Sequence, residues 1–224
     1  TVSAAVLRKH GMRTGLYTSP HLVAYNERIR IDGRPCDDDE IIAAFDEIDR
    51  ARGKTSLTYF EFGTLAAFWL FAQRSLDALV LEVGLGGRLD AVNLLDPDVA
   101  LITSIGLDHQ AWLGGDRERI GAEKAGIFRP GRPAVIGQPE PPRALPATAE
   151  DLGAEVFLAG REYGYEQRDG AWDWLGPRSS RHGLPRPALR GSVQLQNAAD
   201  VLMVLGVAVG FAALFLGISF WLGP

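Results

Sequence analysis

The sequence has a single cysteine, Cys36, among 224 residues. No internal disulfide can form, which fits a reducing compartment and leaves packing to hold the fold. One cysteine and four scattered histidines cannot build a tetrahedral zinc site. A basic surplus is missing too. The formal net charge is −5 and no Lys/Arg cluster occurs, so no nucleic-acid partner is expected. The start shows neither a signal-peptide pattern nor an initiator methionine. There is no internal repeat and no Gly-x-Ser-x-Gly elbow, and the Gly84–Gly87 stretch has the wrong spacing for a dinucleotide fingerprint. Charge vanishes at the far end: Val201 to Pro224 holds no charged residue, and Ser219 is its only hydroxyl.

What is present suits an ordinary globular core. Apolar residues make up 46% and charged residues 23%, enough for one large domain or a domain plus a fragment. Residues 1–10 suggest a helix entered midway and ending near Gly11. Thr14–Thr18 is a strand candidate broken by Ser19-Pro20. Glu27–Ile31 alternates as a half-exposed strand would, and Asp32-Gly33 closes it with a turn. Asp37–Arg52 is amphipathic, with Ile41, Ile42, Phe45 and Ile48 on one face and an acidic run at its amino end. Phe60–Gln73 reads as a more buried helix. Ala78–Val83 and Val99–Ile105 are continuous apolar runs, the pattern of parallel strands covered on both faces. Arg117–Ala125 and Arg143–Leu152 read as helices, Ala134–Ile136 as a strand, Tyr163–Trp174 as a hairpin around Asp169-Gly170, and Gln194 onward as a last helix after the linker-like Pro185–Pro187. The expected class is α/β, doubly wound, with a mostly parallel sheet.

In such sheets ligands bind at the carboxyl ends of strands. Three segments sit there. Ser19 offers a hydroxyl in a proline-stiffened loop, although Ser-Pro is also a common turn. Glu82 interrupts an apolar strand just before Gly84, Gly86 and Gly87; a carboxylate there needs a cation, a metal or a structural ion-pair partner. His109 follows a third apolar strand. A hydroxyl, a carboxylate and an imidazole at three strand ends make an oxygen-rich set suited to Mg2+, which keeps few protein ligands and bridges phosphates. Lys124 is followed by Ala125-Gly126-Ile127, a close-packed helix end rather than a solvated face.

Together these segments resemble the folylpolyglutamate synthase / dihydrofolate synthase family, of the Mur-ligase type. The resemblance rests on Tyr17–Leu22, Asn26–Ile29, Tyr59–Phe62, Leu81–Asn93, Gly106–His109 and Glu123–Phe128, six motifs in order over roughly residues 1–205, nearest to the bifunctional bacterial enzymes. It implies a P-loop/Mur-ligase central domain and ATP-dependent addition of L-glutamate to dihydropteroate or folate through an acyl phosphate. It also implies a cytoplasmic monomer. Carried over by motif, Ser19, Glu82 and His109 would hold Mg2+, and Lys124 would be the carbamylated lysine, serving catalysis with His109. Thr58, Tyr59, Phe60, Glu61, Leu89, Asp90 and Ala91 would contact the pterin substrate, and Asn197 would contact ATP.

Two departures set further expectations. The family's Gly-Lys-Gly-Ser phosphate loop is not in this sequence, and the resemblance stops near Leu205, so the domain is expected to be truncated at both ends, without the carboxy-terminal ligase domain, and inactive as given. Residues 206–224 are long enough to span a bilayer, and Gly206 and Gly210 have helix-packing spacing. That tail is expected to be either a membrane segment or a junction artefact. The competing readings are another Mur-type amino-acid ligase and a non-catalytic, membrane-tethered binding module for folate or nucleotide.

Overall fold

The structure, a computed structural model, describes residues 1–107, 115–189, 191 and 193–208, together with the backbone of 214–219. Among these residues an eight-stranded, mostly parallel sheet lies between two helical layers, and a small antiparallel sheet flanks it.

Helix α1 (Val2–Lys9) starts where the Thr1 hydroxyl accepts from the Ala4 N–H, and its last turn carries Arg8 and Lys9, which suit the negative end of the helix dipole. Strand β1 (Thr14–Tyr17) then enters the sheet fully buried. A short 3-10 turn, Tyr25–Arg28, follows, where alternation alone suggested strand from Glu27. The strand proper is β2 (Ile29–Ile31), which turns through Asp32 and Gly33, both at positive φ, into β3 (Arg34–Pro35). Two consecutive positive-φ residues are what a tight hairpin with right-handed twist requires. Glycine suits position 33 because its φ of +79° lies in the left-handed region that strains residues with a Cβ.

Helix α2 (Asp38–Arg52) opens on the Asp37–Glu40 capping box, and α3 (Tyr59–Ala72) on the Thr58–Glu61 box. Strands β4 (Ala78–Leu81) and β5 (Val99–Ile102), helix α4 (Arg117–Ala125), β6 (Pro133–Ile136), helix α5 (Ala144–Asp151) and β7 (Glu155–Leu158) complete the alternating run. The sequence pattern did not separate β7 from its surroundings. The expected hairpin is β8 (Gly164–Arg168) and β9 (Ala171–Leu175), and a third strand that the sequence pattern did not separate, β10 (Ser180–Pro185), joins it and ends at the linker-like Pro185–Pro187. Its buried hub is Asp173, which accepts from Arg168, His182 and the Gly183 N–H; these donors hold its carboxyl down at about 2.

Helix α6 (Gln194–Ala208) runs past Leu205, and β11 (Leu214–Ser219) lies parallel between β4 and β5. The sheet order is β3-β2-β1-β4-β11-β5-β6-β7. The apolar tail, expected to be either a membrane segment or a junction artefact, contributes within its described part the end of a helix and a six-residue strand. No helix of the described residues is long and apolar enough to cross a bilayer. A strand hydrogen-bonded on both sides in a covered parallel sheet needs a continuous apolar run, which accounts for the composition of 214–219. One core layer joins α2, α3, α4 and α5 to the sheet; the other joins α1, α6 and the aromatic residues Tyr163, Trp172 and Trp174.

Candidate active site

The parallel register of β1 and β4 ends at Tyr17 and Leu81, and the Glu82 N–H extends it by donating to the Tyr17 carbonyl at 3.0 Å. Both chains then leave the sheet side by side. The Ser19 N–H donates to Glu82 Oε2 at 3.0 Å, so two of the expected site residues meet at the strand ends. Burial pushes the Glu82 carboxyl up to about 7, against the Ser19 N–H, the chain's amino group and Arg28, which pull it down. A carboxylate this reluctant to ionise gains most from a cation beside it. Among the described residues no group of three acidic, histidine or cysteine side chains converges on a metal position. His109, the third expected ligand, lies outside the described residues.

The loop after Ser19 is held by one side chain. Glu27 accepts the N–H groups of Leu22, Val23 and Ala24, each at 2.9 Å, and these bonds lower its carboxyl to about 2. The sequence reading missed this brace; its visible signal is a glutamate three residues after Ala24, the spacing of a capping box. Leu22 and Val23 nevertheless stand 91% and 90% exposed. Arg28 is almost buried, its Nε donating to His21 Nδ1 at 2.8 Å, its guanidinium lying over the rings of Tyr25 and Tyr59 and hydrogen-bonded to the Tyr17 hydroxyl. A cavity of about 340 Å³ opens beside this loop, lined in part by Thr1, Arg8, Pro20, Leu22, Glu27 and Arg30.

The glycine-rich loop after Glu82 is pinned by Asp90. Its Oδ2 accepts from the N–H groups of Gly84 (3.0 Å) and Leu85 (2.9 Å), and its Oδ1 from Val92 (2.9 Å). Burial raises the Asp90 carboxyl, while these donors and the Lys124 charge lower it. Asp90 and Lys124 are thus electrostatic neighbours, across 34 positions of sequence. Gly87 explains the approach: a Cβ there would lie 2.8 Å from the Lys124 carbonyl, so only glycine lets the loop seat on the end of α4. Arg88 N–H donates to the Glu123 carbonyl, and Asn93 Nδ2 bridges the Arg88 and Gly126 carbonyls. Leu89 is largely exposed beside them, and Ala91 opens the short 3-10 turn that Asp90 caps.

Of the remaining expected residues, Thr58 and Glu61 spend their polar groups on the α3 cap. They fix the helix start that presents Tyr59 and Phe60. The Phe60 ring lies over Gly84, where a Cβ would come within 2.5 Å of it, and is 6.0 Å from the Tyr17 ring. Ser19, Tyr59, Phe60, Glu82 and the Gly84–Ala91 loop therefore share one end of the sheet. Asn197 lies on α6, one turn before Asp200, and no described contact joins it to Ser19 or Glu82. Asp200 was not foreseen. It is fully buried, its Oδ1 accepting from the Tyr163 hydroxyl and from Gln196 Nε2, both at 2.7 Å, while its Oδ2 faces Gly137 without a hydrogen-bond partner. The signal for it was an acid in the otherwise apolar run Ala198–Val204.

No protein-family model matches the chain. Individual proteins do. The chain is 48% identical over 201 residues to the dihydrofolate synthase/folylpolyglutamate synthase of Escherichia coli (strain K12), covering 90% of this chain and 47% of that protein. It is 46% identical over 197 residues to the Haemophilus influenzae protein of the same name, covering 88% and 44%. Among solved structures, that of E. coli FolC in complex with DHPP and ADP superimposes with a TM-score of 0.87 at 47% identity, covering 91% of this chain and 48% of the other. A bifunctional folylpolyglutamate synthase/dihydrofolate synthase with Mn, AMPPNP and L-glutamate bound gives 0.85 at 48% identity, covering 91% and 49%. The chain spans about half the length of the curated relatives it matches. With the expected motifs gathered at one sheet end and near-half identity over nine-tenths of its residues, the chain belongs to the folylpolyglutamate synthase / dihydrofolate synthase family.

Proposed function

We propose that this chain is the amino-terminal, ATPase-type part (1–205) of a cytoplasmic amide ligase that adds L-glutamate to dihydropteroate, to folate polyglutamates, or to both. The observation that carries the reading is the pairing of Ser19 with the half-buried Glu82 at adjoining strand ends, in a chain whose close structural relatives hold DHPP with ADP, or an ATP analogue with Mn and L-glutamate. In this reaction the pterin-linked carboxylate attacks the γ-phosphorus of ATP, giving an acyl phosphate and ADP. The glutamate amino group then attacks the acyl carbon, the amide forms, and phosphate leaves.

Phosphoryl transfer asks the protein for alignment and charge compensation. Glu82, with its raised carboxyl, fits a cation-binding role, and Ser19 and His109 would complete the protein's share of Mg2+ ligation. Bound there, Mg2+ would offset phosphate charge. Lys124 would carry the carbamate by its place in the Glu123–Phe128 motif; as an ammonium it stabilises the Asp90 carboxylate, so carbamylation would call for a further cation beside the two anions. Tyr59 and Phe60 would offer ring faces to the pterin, with Leu89 and Ala91 at its edge, while Asp90 fixes the loop that carries them and Asn197 contacts ATP.

This sequence holds no Gly-Lys-Gly-Ser loop, so the reading expects pterin binding without ATP turnover from the 224-residue chain itself. Fluorescence titration with 7,8-dihydropteroate, with and without Mg2+, tests it. Saturable binding that a UDP-muramoyl peptide fails to compete supports the folate reading. Competition by the muramoyl compound, or no pterin binding at all, would overturn it in favour of another Mur-type ligase or an unrelated role.

A further inference from the structure

Arg129 follows the Glu123–Phe128 segment and spends its whole guanidinium on one junction. Its Nε donates to Asp96. One terminal nitrogen donates to the Gly126 carbonyl at 3.2 Å and the Phe128 carbonyl at 3.1 Å. The other donates to the Asn93 carbonyl at 3.1 Å and to Asn93 Oδ1 at 2.9 Å. That uses every N–H a guanidinium carries, so the planar fork is satisfied and held in one orientation. Asn93 is used as completely. Its Nδ2 donates to the Arg88 and Gly126 carbonyls, both at 3.1 Å, while its Oδ1 accepts from Arg129. The reverse amide orientation would set Nδ2 against the guanidinium and the oxygen against two carbonyls, so the network admits only this one.

The pair joins two segments that carry candidate site residues. On one side is the stretch from Arg88 to Asn93, with Leu89, Asp90 and Ala91 between them; on the other is the end of α4, with Lys124 in its last turn. Asp90 ties the glycine-rich loop only to itself, through Gly84, Leu85 and Val92. Across the junction the Arg88 N–H donates to the Glu123 carbonyl, and the Arg88 and Glu123 side chains pair at 3.1 Å. The Arg88 side chain is 58% exposed, so that pair adds little. Asn93 and Arg129 are what fix the loop's height above α4 with side chains. Resting on the folate-ligase reading above, we propose that Arg129, acting through Asn93, is a positioning residue that sets the spacing between the Leu89–Ala91 edge of the pterin site and Lys124. It touches neither the substrate nor the reacting atoms. Its leverage is geometric, since a misplacement of about 1 Å in a site can cost on the order of 100-fold in function.

The test separates positioning from general damage. The 224-residue chain and its Arg129→Ala, Asn93→Asp and Asp96→Asn variants are titrated with 7,8-dihydropteroate, and amide hydrogen exchange is followed at Arg88. Arg129→Ala should lose roughly 10- to 100-fold in affinity, the range met when a supporting partner of a site is removed, and its Arg88 amide should exchange faster. Added ethylguanidinium, which can refill the vacated place, should restore binding; a generally damaged fold gives no such rescue. Asn93→Asp keeps an acceptor for Arg129 but sets a carboxylate oxygen against the Arg88 and Gly126 carbonyls, and should weaken binding as much. It decides if Arg129→Ala does not fold by circular dichroism. Asp96→Asn removes only a surface partner, 79% exposed, and should bind as wild type does. Unchanged affinity in Arg129→Ala, or in Asn93→Asp where that variant decides, overturns the assignment. So does a loss that ethylguanidinium fails to reverse, or equal weakening by Asp96→Asn. Absence of pterin binding by wild type overturns the folate reading instead, and unchanged Arg88 exchange in Arg129→Ala would then overturn the positioning role by itself.

Discussion

The buried Asp200 carboxyl gives the most quantitative forecast. Burial pushes it up to about 7 from the usual 3.8, against hydrogen bonds from Gln196 and Tyr163, so in the folded protein it keeps its proton up to neutrality. The unfolded chain releases that proton near pH 4. Because the folded state binds it more tightly, the contribution to stability is complete below pH 4, declines above it and is gone once pH exceeds 7. Three pH units at about 1.4 kcal/mol each set the swing on the order of 4 kcal/mol, a large share of a domain's total stability. Asp200→Asn is the perturbation. An amide oxygen can still accept from Tyr163 and Gln196 at the Oδ1 position, and the amide cannot ionise. Urea unfolding at pH 4 or below should therefore give similar stabilities for the two proteins. At pH 9 the variant should be more stable by a few kcal/mol. Parallel pH profiles for wild type and variant would refute the reasoning, because they would mean that Asp200 titrates alike in both states.

Three further outcomes follow from the site. Asp90→Ala removes the acceptor for three backbone N–H groups and should cost about 3 kcal/mol at roughly 1 kcal/mol each; urea midpoints check it, and a loss below 1 kcal/mol would show that water replaces the carboxylate. Glu82, raised to about 7, should make Mg2+ affinity climb between pH 6 and 8 as the carboxylate ionises, and Glu82→Gln should flatten that dependence in a metal titration. Glu27→Ala should speed amide hydrogen exchange at Leu22, Val23 and Ala24 and leave the sheet amides unchanged; uniform protection would mean that the loop holds itself without the brace.

Much of the sheet was legible because burial on both faces leaves a direct mark. Ala78–Leu81 and Val99–Ile102 are uninterrupted apolar runs and nothing else fits them. Arg117–Ala125 was bounded correctly because Asp116 caps one end and Gly126 stops the other. Two missed strands share one cause. Glu155–Leu158 and Ser180–Pro185 are edge strands, and edges lack the apolar pattern that identifies central ones. In the site, Ser19 and Glu82 were readable from their place after strands. Arg28 and Asp200 were not, since what distinguishes them is the company brought by distant segments: Tyr59 for one, Tyr163 and Gly137 for the other. The apolar tail was ambiguous in the sequence for a related reason. Length and hydropathy are the same for a bilayer span and for a strand in the middle of a covered sheet.

That middle strand bears on how the chain is made. Leu214–Ser219 registers with Ala78–Leu81 on one side and Val99–Ile102 on the other, so those two strands never touch each other directly. During synthesis the ribosome delivers both of them more than a hundred residues before the piece that joins them, a delay of roughly 5–20 s at ordinary elongation rates. For that interval the nascent chain carries two half-sheets, each with an open parallel edge facing the gap. Such edges recruit any extended segment nearby. Chaperone dependence should therefore peak while residues 103–213 emerge, and ribosome-stalled chains ending before Leu214 should be markedly more prone to proteolysis and self-association than the finished protein.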